Sequence, residues 1–130
     1  VIVLGPGDAF AAGEIDIRRG GASTGVYGNP LEMRMEGDRA AVVGGYRDLI
    51  TGSKTASQIA RERRLGPPNV SNERIPLHRR MQALSRLAER VRNGETLHLR
   101  CACKPRKCHG DVIAEWILAR REEPQALVTL

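Results

Sequence analysis

A chain of 130 residues with 21 Lys and Arg against 15 Asp and Glu carries a formal net charge of +6 at pH 7. That length suits one domain, residues 1–130, able to bury a core without disulfide staples; with one Trp, two Tyr and one Phe, the core must be aliphatic. No apolar run approaches the roughly 20 residues that cross a bilayer, so no membrane partner is expected, and the positive charge points to an anionic one: a nucleotide, a nucleic acid or a phosphorylated metabolite.

The chain starts at Val1 rather than Met, which reads as a trimmed start or an excised domain, and Val1-Ile2-Val3-Leu4 is too short for the apolar part of a signal peptide. These four residues are expected to be a strand or the end of one. Glu14-Ile15-Asp16-Ile17-Arg18 alternates charged and apolar residues, the period of a half-buried strand, and Gly20 and Gly21 end it. Pro30 biases Asn29 away from the helical region, so Gly28-Asn29-Pro30 is an ordered turn or extended loop. Asp38 is the expected N-cap of a helix over Arg39–Ile50 with Val42, Tyr46, Leu49 and Ile50 on one stripe; Gly44 and Gly45 weaken it and permit another backbone to approach. Ser53 or Thr55 can start a polar helix ending near Arg64. Residues 51–74, thin in large apolar side chains and rich in Arg, read as a basic surface insertion. From Pro76 to Asn93, Leu77, Met81, Leu84, Leu87 and Val91 recur at helical steps and predict one buried face, with Asn93-Gly94 as the stop. Thr96-Leu97-His98-Leu99-Arg100-Cys101 reads as a strand with Leu97, Leu99 and Cys101 inward. A last helix starts at Cys108, carries Val112, Ile113, Trp116 and Ile117 on one face, and ends at Glu122-Glu123-Pro124. The order predicts an α/β domain, a small and mainly parallel sheet with helices packed on it, and a Cys loop between the C-terminal strand and the last long helix.

That loop, Cys101-Ala102-Cys103-Lys104-Pro105-Arg106-Lys107-Cys108-His109-Gly110-Asp111, holds the chemistry-bearing residues. It follows a strand and leads into a helix, the place where open α/β sheets bind ligands. All three Cys are clustered and odd in number, which is not a secreted disulfide framework, so a reducing, cytoplasmic compartment is expected.

Two chemistries fit the loop. Cys101, Cys103, Cys108 and His109 are the right ligand types for tetrahedral zinc or an iron–sulfur cluster. The Cys-x-Cys spacing is tighter than a zinc knuckle, however, and adjacent Cys108 and His109 would diverge on a helix. Alternatively, Cys108 at a helix N-terminus, near Lys104, Arg106, Lys107 and His109, would have a lowered thiol pKa and act as a nucleophile; the same N–H groups would equally hold a phosphate. Asp111 would orient His109 or a substrate hydroxyl, or be an ordinary first-turn acid. Cys101 and Cys103 also read simply as small buried hydrophobes at a strand end.

A second site candidate is Arg18 and Arg19 with the Gly-rich stretch Gly20 to Gly28, whose backbone could approach a phosphate; its spacing matches no nucleotide fingerprint. His78 and His98 read as surface residues. Arg61, Arg63 and Arg64 read as a solvated face, or as a nucleic-acid contact.

Gly28-Asn29-Pro30, a helix containing Tyr46, and Leu97-His98-Leu99-Arg100-Cys101-Ala102-Cys103-Lys104-Pro105 with Cys108-His109-Gly110-Asp111-Val112-Ile113 resemble the domain-of-unknown-function family numbered 4326, over about residues 14–118. Members of that family are small phage and bacterial proteins without an assigned activity. The resemblance implies that Asn29, Pro30, Cys101, Cys103, Cys108, His109 and Asp111 surround one pocket, and a bacterial or phage-infected cell as the setting. Arg18 or Arg19 and Arg39 match the pattern less closely. Ala102 replaces a usual Trp, which removes an aromatic platform, and the Arg-rich stretch 51–74 is a second departure.

The leading expectation is a protein that handles a nucleotide or nucleic acid between the Gly28-Asn29-Pro30 loop and the Cys108-His109-Gly110-Asp111 helix start. Arg18, Lys104, Arg106, Lys107 and the helix start would hold phosphate, Asn29 a base or sugar. Cys108 or His109 would do any chemistry, with Asp111 orienting. The alternatives are a non-catalytic zinc-stabilised nucleic-acid-binding module and an interaction protein directed at a host target.

Overall fold

Three parallel strands carry the fold. The computed structural model describes residues 1–19, 25–52 and 54–121. Strand β1 (Ile2–Leu4) and β2 (Ile15–Asp16) flank the central β3 (His98–Arg100), giving the order β1-β3-β2, parallel throughout. The strands are shorter than their alternating patterns, but the ladder runs on past them: Ile2 N–H donates to Leu97 O, Cys101 N–H to Leu4 O and Ile17 N–H to Arg100 O. The inward residues Leu97, Leu99 and Cys101 are all buried, as the alternation requires.

The helices are α1 (Arg39–Ile50), α2 (Ala56–Glu62), the single-turn α3 (Val70–Glu73), α4 (Leu77–Arg92) and α5 (His109–Arg121). Helix α1 starts after a 3-10 turn at Glu36–Asp38, and Asp38 does not cap it; its carboxylate accepts Arg34 N–H instead. Val43 rather than Val42 joins Tyr46, Leu49 and Ile50 in the core. Gly45 allows a close approach of side chains rather than of the expected backbone: a Cβ there would collide with Leu31 Cδ1 and meet Ile59 Cγ2 at 2.8 Å. The expected stop holds at Gly94, with φ of +92°, and Gly52 follows α1 with φ of +78°, a region glycine enters without steric strain.

Residues 51–74 are more than a surface insertion. Thr55 caps α2 through a capping box with Gln58, and Ala56, Ile59 and Ala60 pack into the core. A single Ile and two Ala suffice because α2 is seven residues long and needs one narrow stripe. The expected start at Ser53 and the end of α5 near Glu122 to Pro124 lie outside the described residues. Helix α4 buries Leu84 and Leu87 with Ala83 and Ala88, while Leu77 at its first turn is exposed. Helix α5 buries Val112, Ile113, Trp116 and Ile117 against α4 and α1. No helix among the described residues is long and apolar enough to cross a membrane.

Candidate functional site

The carboxyl ends of β2 and β3 lie side by side, so the segments that leave them, Ile17–Arg19 and Cys101–Lys107, emerge together. Between them and the 29–43 segment opens a cleft of about 500 Å³. Arg18, Arg19, Arg39 and Lys107 line it, with Leu31, Met33, Val42 and Val43 as an apolar wall and the three Cys and His109 at its base. No carboxylate is among the described residues that line it.

The Cys108-His109-Gly110-Asp111 motif is first of all a helix start. Cys108 precedes α5; its sulfur accepts Gly110 N–H, and its own N–H donates to Asp111 Oδ2 at 3.2 Å. The Asp111 carboxylate thus supplies one half of a capping box, while the Asp111 N–H goes to Cys108 O. Gly110 is required because a Cβ would meet Ile17 Cδ1 and Val3 Cγ1, each at 2.9 Å. Asp111 also pairs with Lys104 Nζ at 2.7 Å. The positive end of the helix is therefore served by the protein's own carboxylate, and Lys104 is tied to it rather than turned to the cleft. Arg106 pairs with Glu36 at the surface and does not line the cleft.

His109 closes the motif against the sheet. Its Nε2 lies 3.0 Å from Ile17 O, its ring stacks edge-on to Tyr46 at 4.9 Å, and it also faces Tyr27 O, which accepts the Tyr46 hydroxyl. Burial outweighs these carbonyls and lowers its pKa to about 4, so the ring is neutral at pH 7 and Nε2–H donates to Ile17 O. A ring turned to two carbonyls is poorly placed to bind a metal, and among the described residues no three His, Cys, Asp or Glu side chains are disposed to hold one. The expected set Cys101, Cys103, Cys108 and His109 does not converge on a common centre.

The three cysteines are free thiols, Cys101 and Cys108 buried and Cys103 half-buried. Cys101 Sγ accepts Cys103 N–H at 3.4 Å. The neighbouring Cys108 thiol and the backbone N–H groups outweigh burial and lower the Cys101 pKa. Cys108, beside Cys101 and buried, is pushed far up. The sulfur expected to be activated, Cys108, is thus pushed up, while Cys101, whose sulfur accepts Cys103 N–H, is lowered. Arg39 donates to the Cys103 sulfur, to Lys107 O at 2.8 Å and to Glu36, which holds the Cys loop against α1.

The Gly28-Asn29-Pro30 loop is built with equal completeness. Asn29 Nδ2 donates to Val42 O and its Oδ1 accepts Leu31 N–H, both at 3.0 Å, so this side chain shapes the cleft wall. Gly28 and Pro30 are buried and do not line the cleft. Gly28 lacks room for a Cβ, which would meet Arg19 Cα and Asn72 Nδ2 at 2.8 Å. Beneath the loop, Arg80 is 2 % exposed and donates to Gly28 O, Asn72 O and Asn72 Oδ1 at 2.6–2.8 Å. Asn72 in turn donates to Gly25 O. Of the Gly-rich stretch, residues 20–24 lie outside the described residues.

Arg18 and Lys107 thus stand at the cleft, as do Cys101, Cys103, Cys108, His109 and Asn29; Lys104, Arg106, Gly28, Pro30 and Asp111 do not line it. Sequence reasoning passed over Arg80 and undervalued Arg39. Arg80 had a signal: it sits three residues after Leu77 and four before Leu84, on the apolar stripe of α4, where a charged side chain demands an explanation.

No curated protein and no solved structure gives a significant match to the chain. The family model described as Domain of unknown function (DUF4326) matches residues 6–119, which takes in every strand-end loop and helix of the cleft described above. The chain therefore belongs to the DUF4326 family.

Proposed function

We propose that the cleft binds the phosphate of a nucleotide, free or at the end of a nucleic acid. The observation that carries this reading is the lining itself: four cationic side chains, Arg18, Arg19, Arg39 and Lys107, no carboxylate among the described lining residues, and an apolar wall opposite. A phosphate satisfies the guanidinium groups, and Leu31, Met33, Val42 and Val43 offer a surface for a base or sugar edge. The position at the carboxyl ends of parallel strands is where such sheets take ligands. The phosphate site lies on these side chains rather than on the α5 N-terminus, which Asp111 already occupies.

Titration calorimetry with a nucleoside, its 5′-monophosphate and its triphosphate tests this. Heat is expected for the phosphorylated ligands and none for the nucleoside, with affinity falling as salt rises. The paired replacement Arg18→Ala with Lys107→Ala should weaken binding at least about tenfold, the loss of more than one charge-assisted contact. Equal binding of the nucleoside, or undiminished affinity in the double variant, would overturn the reading.

A further inference from the structure

A second opening borders the 25–31 segment and shares no lining residue with the cleft. It is a groove of about 470 Å³, lined by Tyr27 on the 25–28 turn and by Arg79, Gln82 and Arg86 on α4. Steps of three and four residues put the three α4 side chains on one face of the helix, and all three are exposed. Arg86 follows Arg79 by seven residues, about 10 Å along the helix axis, so their charges form a line rather than a point. Neither guanidinium has a hydrogen bond or ion pair among the described residues, and no described carboxylate lines the groove. Glu89, one turn beyond Arg86, and Glu95, paired with Arg90 at 3.0 Å, lie outside it. The turn that carries Tyr27 is fixed. Gly28 N–H and Asn72 Nδ2 each donate to Gly25 O at 2.8 Å, Arg80 donates to Gly28 O at 2.7 Å, and the Tyr46 hydroxyl donates to Tyr27 O at 3.1 Å. Of the two tyrosines in the chain, Tyr46 is fully buried and Tyr27 reaches the surface, at this groove.

We propose that this groove binds a single strand of nucleic acid, with Tyr27 stacking on a base, Arg79 and Arg86 holding successive phosphates, and Gln82 facing the sugar or base edge between them. Cations set beside an aromatic face match what a single strand offers: every base has a face to stack, and every linkage carries a negative charge. A duplex keeps its base faces inside and presents phosphates alone. None of the large exposed apolar side chains, such as Phe10 and Met35, lines the groove, so nothing there enters a lipid surface. The groove and the nucleotide cleft are built from different residues, and the proposal stands or falls separately from the cleft reading.

Fluorescence anisotropy of a labelled oligothymidylate of about 12 nucleotides, titrated with the full chain, tests this. The single strand is expected to bind more tightly than a duplex of the same length, and unlabelled strand to displace it where polyglutamate does not. Arg79→Ala with Arg86→Ala should weaken binding at least about tenfold and make the log–log dependence on salt shallower by about 1.4, two phosphates at about 0.7 each. Both side chains are exposed, so this variant keeps its melting temperature. Tyr27→Leu should weaken binding at least about fivefold by losing the stack, while Tyr27→Phe, which keeps the ring, should retain it. The cleft pair Arg18→Ala with Lys107→Ala should keep the oligonucleotide affinity, and the groove variants should keep the nucleotide heats of the wild type. Equal affinity for the duplex, equal displacement by polyglutamate, full affinity in the double arginine variant, or equal losses in Tyr27→Leu and Tyr27→Phe would each overturn the proposal. So would anionic vesicles binding where the strand does not, or oligonucleotide affinity lost in the cleft pair and kept in the groove pair.

Discussion

Arginines stand on both sides of the 25–31 segment, and their surroundings divide them into two kinds. Below it, Arg80 is buried with every described hydrogen bond going to a carbonyl or to the Asn72 amide oxygen, and burial lowers its pKa. Across the sheet Arg100 is similar, forked onto Glu14 and reaching Gly5, Asp8 and Ala9 carbonyls, so that it ties the 5–14 loop to β3. On the cleft side Arg18 is exposed, and its carboxylate partner Asp16 lies outside the cleft lining; Arg19 stands between the two kinds, exposed and paired with Glu32 but donating to Asn29 O at 3.1 Å. The first kind is architecture and the second is available to a ligand. A fork of donors has the same chemistry in both places; what differs is whether backbone carbonyls have already filled it.

The comparison breaks most sharply at Arg80. Replacing it with Met leaves two buried acceptors, Gly28 O and Asn72 Oδ1, without donors, at about 1–3 kcal/mol each, while Asn72 O keeps Ile75 N–H, so a loss of about 4 kcal/mol is expected in urea unfolding. An unchanged midpoint would remove Arg80 from the scaffold. Acid gives the next largest effect. The His109 pKa is lowered from 6.5 to about 4 on folding, so the unfolded chain binds the extra proton in that window. Its contribution is fully present above pH 6.5 and is lost as pH falls toward 4, on the order of 3 kcal/mol at most. Unfolding midpoints across that range should fall in the wild type and flatten in His109→Gln. Glu14, held by Arg100 at a pKa of about 2, adds a separate acid loss between pH 4.5 and 2.

A smaller effect distinguishes the motif's architecture from its chemistry. Gly110→Ala forces a methyl against Ile17 and Val3 and should cost about 2 kcal/mol by overpacking, seen as a lower melting temperature. Arg18→Ala completes the contrast with Arg80: its exposed pair with Asp16 is worth little, so stability should stay within about 0.5 kcal/mol while nucleotide affinity falls. If Arg18→Ala destabilised the fold as much as Arg80→Met, the division into two kinds of arginine would collapse.

Much of this was legible in the chain. Alternation located β3 and its inward residues, the three- and four-residue steps located α4 and α5, and Thr55 and Gly94 marked helix limits with their usual chemistry. The Cys loop was correctly placed at the carboxyl end of a strand. The burial of α2 was hidden because Ile59 is its one large apolar residue, a signal too small to separate from a surface helix. The role of Asn29 was hidden because its amide is filled by Val42 O and Leu31 N–H, contacts that depend on where α1 lies.

The sequence by itself determined the class of fold and the place of the Cys loop after β3, because both follow from local periodicity and from which segment succeeds which strand. Tertiary structure decided what each polar residue does there. Cys101 and Cys108 differ because the turn after β3 aims the Cys103 N–H at one sulfur while the other stands at the start of α5. Arg39 belongs to the cleft because α1 packs beside the Cys loop. A donor's task depends on the acceptors within about 3 Å of it, and those come from segments far away in the chain.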